Sequence, residues 1–144
     1  MEVRPHPGFV TVEIRACDIP INLKKTFALV ALIQALVITI QNEDDYPNTH
    51  IQILESNKWQ AVRYGLEGTF IDPTTFKQLS IRKAIENLCN LIEPIMVSSG
   101  SKKYIRSIEE ILSQGTGATK QRELYKKSGN FKYMIQSLKE QFYE

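Results

Sequence analysis

The run Val10-Thr11-Val12-Glu13-Ile14-Arg15-Ala16-Cys17-Asp18 limits what this chain can fold into more than any other stretch. Its period of two puts Val10, Val12, Ile14 and Ala16 on one side of a strand and Thr11, Glu13, Arg15 and Cys17 on the other, the pattern of a half-buried β-strand. On the polar side a carboxylate and a guanidinium stand two residues apart. Held on a strand, they are suited to gripping a divalent metal and an anionic group together. A surface strand with a cross-strand ion pair would present the same residues. Most of the remaining sequence has helical periodicity, and one strand, or two, cannot make a stable sheet alone. The strand's partners are therefore expected from a second chain or from sequence outside this one.

Residues 1–9 contain Pro5, Pro7 and Gly8 and read as an extended entry segment. Asp18 and Pro20 stop the strand. Asn22 is placed to cap a helix that reaches about Gln41 and carries the apolar run Ala28 to Ile40. That run falls short of the roughly 20 apolar residues of a membrane span and is interrupted by Gln34 and Thr39, so it predicts a central core helix buried on several sides. An acidic, proline-containing loop follows over Asn42 to Thr49. A helix from about Ile51 to Tyr64 ends at Gly65, and Gly68 to Pro73 reads as a short strand closed by an Asp-Pro turn. Ser80 caps a helix with Ile81, Ile85, Leu88, Ile92, Ile95 and Met96 at helical spacing, and Pro94 is expected to kink or end it near Glu93. Helices closing at Gly115 and Gly129 and a last one opened by Asn130 complete the chain. With no internal repeat and no low-complexity linker, residues 1–144 read as a single domain.

Composition excludes several function classes. Cys17 and Cys89 cannot build a disulfide scaffold, and His6 and His50 lack metal-ligand spacing. The net charge of +2 is too small to argue for a nucleic-acid or membrane partner. Residues 101–144 do hold nine lysines and arginines against five acids. However, Glu109, Glu110 and Glu123 break up Lys102, Lys103, Arg106, Lys120, Arg122, Lys126 and Lys127, and aromatic residues are not interleaved. This is better read as a solvated helical face than as a nucleic-acid site. The first residues show no apolar signal region behind a basic one, so the cytoplasm is the expected location.

Three blocks together resemble bacterial carboxylate–amine ligases of the glutamate–cysteine ligase type 2 family. The first is Arg4-Pro5-His6-Pro7-x-Phe9-x-Thr11-Val12-Glu13-Ile14-Arg15-x-x-Asp18, followed by Leu32-Ile33-Gln34-Ala35 in the apolar helix. The second is Asn57-x-Trp59-x-Ala61-x-Arg63-Tyr64-Gly65-Leu66-Glu67-Gly68, running on into Ile71-Asp72-Pro73. The third and weakest is Gly115-Thr116-Gly117-Ala118-x-x-Gln121. Their order and spacing are similar to the family's C-terminal part over nearly the whole chain. The resemblance implies an α+β fold: the predominantly helical C-terminal part of a glutamine-synthetase-like fold, with one or two strands contributing to an antiparallel sheet that is otherwise missing. It also implies that the chain is inactive alone and depends on a separate N-terminal half or on a homo-oligomer.

The implied reaction joins glutamate to an amine such as cysteine, with ATP and Mg²⁺, as in glutathione biosynthesis. A carboxylate is a poor electrophile, so ATP first converts it to an acyl phosphate, and the amine then displaces phosphate. Each step gathers negative charge, which divalent metals and arginines stabilise. By match to the motifs, Glu13 is the candidate metal ligand, and Arg15 and Arg63 are the catalytic anion contacts. Arg4 and Asn57 are candidate nucleotide contacts, Asn57 through hydrogen bonding. Each also has a plain structural role open to it: an ion pair for Glu13 and Arg15, a surface charge for Arg63 and Arg4. Trp59 reads as a packing residue. The Gly115–Lys120 segment follows a helix and lacks phosphate-loop spacing, so it reads as a helix–helix connection. Cys17 reads as a small buried residue. A helical interaction module that pairs through an exposed strand edge is the alternative function.

Overall fold

A computed structural model describes residues 3–18, 20–41 and 49–143. The expected loop at Asn42 to Thr49 lies outside the described residues except for Thr49. The fold is α+β, mostly helical, with two small antiparallel sheets.

The chain opens on a hairpin. Strand β1 (Val3–His6) pairs antiparallel with β2 (Thr11–Ile14), setting Val3 opposite Ile14, Arg4 opposite Glu13 and His6 opposite Thr11. Within the described residues the strand's partner is the segment read as an entry arm. Pro5 is tolerated because a two-stranded ribbon consists of edges, where a missing N–H costs no ladder bond. Val10 belongs to the turn rather than the strand, with a φ of 50°, and the strand ends at Ile14 rather than Cys17. The alternation of faces holds across the ribbon, but the expected burial does not. Val3 is 50%, Val12 63% and Ile14 37% exposed, because two strands have no layer behind them among the described residues.

Helix α1 (Leu23–Gln41) starts where Asn22 accepts the Lys25 backbone N–H on its side chain, at 2.9 Å. Its Ala28, Ala31 and Ala35 are buried at helical spacing. These small side chains admit α3 (Ile81–Ser98), whose fully buried Ile92 and Met96 complete the core. Ile108 of α4 (Ile105–Gln114) is also buried, and α4 contacts α1 as well. The helix is therefore buried on one side, not several. Val30, Val37 and Ile40 lie on the opposite side and remain about half exposed. Among the described residues α1 alone is long and apolar enough to cross a membrane, a test that core helices also pass.

Ser80 caps α3 as expected by accepting the Lys83 N–H. Pro94 does not end the helix, which continues to Ser98. Pro94 and Asn90, one turn before it, are both exposed, so the carbonyl that loses its donor faces water while Ile92 and Met96 hold the buried side. Helix α2 (Ile51–Tyr64) ends at Gly65, and the chain returns through a short 3-10 turn to β3 (Thr69–Ile71). Its partner β4 (Gln78–Ser80) was not predicted; three residues are too few for a period to show. Helix α5 (Gly117–Ser128), capped by Thr116, packs against α6 (Phe131–Glu140), capped by Asn130. The Gly115 segment is the helix–helix connection expected of it.

Candidate functional site

The polar face of the hairpin brings three of the sequence-predicted residues together. Register places Arg4 directly across from Glu13, and the pleat sets Arg15 on the same side two residues on. The Glu13 carboxylate takes Arg4 at 2.9 Å on one oxygen and the Arg15 Nε at 3.0 Å on the other. All three side chains are 40–56% exposed. Two guanidiniums share one carboxylate, leaving donors free on both forks and a net positive cluster, which suits an incoming anion.

Arg63 stands apart from that cluster. It lies in the last turn of α2 and lines an open groove of about 930 Å³. The groove runs from Ala16, Cys17 and Asp18, which leave the hairpin, past Lys25 of α1 to the α4–α5 turn around Gly115 and Thr116. Cys17 is exposed on this path, not buried, because the strand has ended before it. Gly115 has a φ of 91°, and a Cβ there would lie 2.8 Å from the Thr119 side chain, so the turn closes only with glycine. Arg82 also lines the groove, but it is committed to Glu67 and to the Leu112 carbonyl.

Asn57 does not point to either arginine site. Its amide donates to the Ile71 carbonyl at 2.8 Å and its oxygen accepts the Ile71 N–H at 2.7 Å, as a neighbouring strand would. Gln60 adds a bond from the Thr69 N–H. At Gly68 a Cβ would lie 2.9 Å from the Gln60 carbonyl oxygen, so β3 can approach α2 only there without a side chain. Much of the second sequence block is thus the α2-to-β3 return written in residues, with Arg63 left over for another task. Trp59 is 55% exposed and packs edge-on against Tyr64.

Lys25 was not singled out from sequence, and Arg122 was read only as part of a basic surface. A signal existed for Lys25: Lys24 and Lys25 follow the cap Asn22, placing cations at the positive end of a helix dipole.

The sequence profile of the family described as glutamate-cysteine ligase family 2 matches residues 1–141. A protein of Gloeobacter violaceus named "Putative glutamate--cysteine ligase 2" is 36% identical over 141 residues, covering 95% of this chain and 38% of its own length. Proteins of the same name from Sorangium cellulosum and Solibacter usitatus are 35% and 33% identical, covering 97% and 93% of this chain. The chain spans 36–38% of the length of these relatives.

Proposed function

This chain belongs to glutamate-cysteine ligase family 2, and from that premise we propose that it supplies part of the site of an ATP-dependent carboxylate–amine ligase. The observation that carries the reading is the Arg4–Glu13–Arg15 cluster, which joins two ends of the first sequence block on one face of a strand pair. Glu13 fixes both guanidiniums, and their free N–H groups meet the negative charge of a transferring phosphoryl group or of an acyl phosphate. In the proposed reaction the glutamate side-chain carboxylate attacks the γ-phosphorus of ATP and ADP leaves. The neutral amine of a substrate such as cysteine then adds to the acyl carbon and gives up a proton to solvent, and phosphate departs with the electrons of the C–O bond.

Magnesium is a separate matter. Among the described residues no three His, Cys, Asp or Glu side chains group as metal ligands, and both oxygens of Glu13 are engaged by arginines. One carboxylate between two cations does not fit a divalent cation without further carboxylates or phosphate oxygens. Glu13 is accordingly assigned here to positioning the arginines.

The test is ATP-dependent formation of γ-glutamylcysteine by this chain, alone and mixed with the N-terminal part of a longer relative. Activity only in the mixture, lost with Glu13→Gln or Arg15→Gln, is the expected result. A folded chain inactive under both conditions would sink the reading. One observation favours the second reading, an interaction module: the apolar face of the hairpin is uncovered at Val3, Val12 and Ile14, beside open strand edges.

A further inference from the structure

The edge of β2 away from β1 is open, and the hairpin's own pairing shows which backbone groups face it. Pro5 has no N–H, so its pairing with Val12 is not a hydrogen-bonded one. Bonded and wide pairs alternate along an antiparallel ribbon, so Arg4–Glu13 is bonded and Val3–Ile14 is wide again. A residue in a wide pair turns its N–H and C=O away from the partner strand. Val12 and Ile14 therefore offer theirs on the open edge, where among the described residues they meet no partner. Arg15, Ala16 and Cys17 carry on past Ile14 with negative φ and no turn or bend, all exposed. The usable edge is thus Thr11 to Cys17, about 20 Å at ~3.3 Å per residue.

That edge is complementary to itself. Pairing with a second copy about a two-fold axis centres on one residue and keeps each face of the strand on the same side. Centred on Glu13, it sets two carboxylates opposite each other; centred on Arg15, two guanidiniums. Centred on Val12, it runs into Val10, whose φ of 50° belongs to the turn. Centred on Ile14, it sets Glu13 opposite Arg15 of the second copy, twice, with Val12 facing Ala16 and Thr11 facing Cys17. Of these registers only the last satisfies the backbone, the faces and the charges together. Arg15 meets its own Glu13 through Nε at 3.0 Å, and the end of its fork can serve the other carboxylate.

We propose that two copies of this chain associate along β2 in the register centred on Ile14, forming one four-stranded antiparallel sheet. A two-stranded ribbon is marginal in water, and a wider sheet with an apolar face is not. Val3, Val12 and Ile14 of both copies then make one continuous apolar face. The opposite face carries both Arg4–Glu13–Arg15 clusters, and each gains an arginine from the second copy. The inference stands on the edge and its charges and does not depend on the ligase reading.

The experiment is analytical ultracentrifugation of the whole chain over a range of concentrations, with disulfide capture to read the register. The mass is expected to rise from 16.5 kDa toward twice that value. Arg15→Glu and Glu13→Arg each set like charges opposite one another and should weaken association about tenfold. Mixed together, the two variants restore opposite charges at both pairs and should associate as the parent chain does. Mixing would not repair the loss of a merely structural residue. Thr11 and Cys17 form a wide pair across the axis, a spacing that a disulfide spans. With Cys89→Ser in the background, Thr11→Cys should give a covalent dimer on mild oxidation. Cys17 without that substitution lies about 20 Å from its copy and should give none. A chain monomeric at every concentration overturns the proposal. So does a dimer that the Arg15→Glu chain forms equally well, or one that Thr11→Cys does not capture. A chain that stays monomeric but binds the N-terminal part of a longer relative gives the edge to another occupant and overturns it too. None of these readouts uses turnover, so the pairing and the ligase reading fail separately.

Discussion

At the scale of single residues, the same motif can hold side chains with different tasks. Asn57 makes both of its hydrogen bonds to the Ile71 backbone, so Asn57→Ala should leave a partly buried N–H and C=O unpaired. The expected loss is about 1–3 kcal/mol of folding stability, read from the urea midpoint. An unchanged midpoint would return Asn57 to the list of ligand contacts. Glu13 behaves in the opposite way. Its ion pairs are exposed, so Glu13→Gln should change stability by less than about 1 kcal/mol in the same measurement. A larger loss would mean that the hairpin depends on the cluster for folding. Val10 shows where a residue and its backbone disagree. A β-branched side chain at a φ of 50° is strained, and Val10→Gly should raise the midpoint by an amount worth about 1 kcal/mol.

At the scale of elements, short sheets depend on their turns. The Asp72 carboxylate accepts the Thr75 and Thr74 backbone N–H groups, each at 2.8 Å, between β3 and β4. Those bonds hold its pKa below the ordinary value. A depressed folded pKa means that the contribution is complete above the unfolded Asp pKa of about 3.9 and is lost as pH falls through the folded one. Amide exchange at Thr74 and Thr75 should therefore accelerate below pH of about 3.9, beyond the intrinsic pH trend, and Asp72→Asn should abolish that extra step. The α2-to-β3 return has no such slack. Gly68→Ala places a Cβ against the Gln60 carbonyl and the Ile81 side chain, and should cost about 1–3 kcal/mol by chemical denaturation.

At the scale of the whole molecule, few side chains are fully buried. Ile92 and Met96 against the alanine face of α1 are the centre, so Ile92→Ala should cost about 2–5 kcal/mol. The opposite face of α1 adds little within this chain. Val30→Lys should shift the denaturation midpoint by no more than about 0.5 kcal/mol, despite replacing an apolar residue in the most apolar helix.

Local features were legible in the sequence because their causes are local. Asn22, Ser80 and Asn130 cap the helices they were expected to cap, since a cap needs only its own side chain and the next turn's N–H groups. The faces of β2 followed from alternation, and the cluster of Glu13 with Arg15 followed from their spacing on one strand. Burial was not legible. An apolar helix predicts that something covers it, but which faces are covered depends on the partners that the fold brings to them, and α1 meets neighbours on one side. The hairpin partner was hidden by Pro5 and Pro7, which read as loop although an edge strand tolerates proline. The groove was hidden for another reason. Lys25, Arg63 and Arg122 are far apart in the chain, so no window of sequence contains them together. Sequence by itself determined the caps, the strand faces and the family blocks, because these depend on neighbours a few residues away. Tertiary structure alone decided what is buried and which charges share a groove, because both depend on the packing of segments that the chain keeps apart.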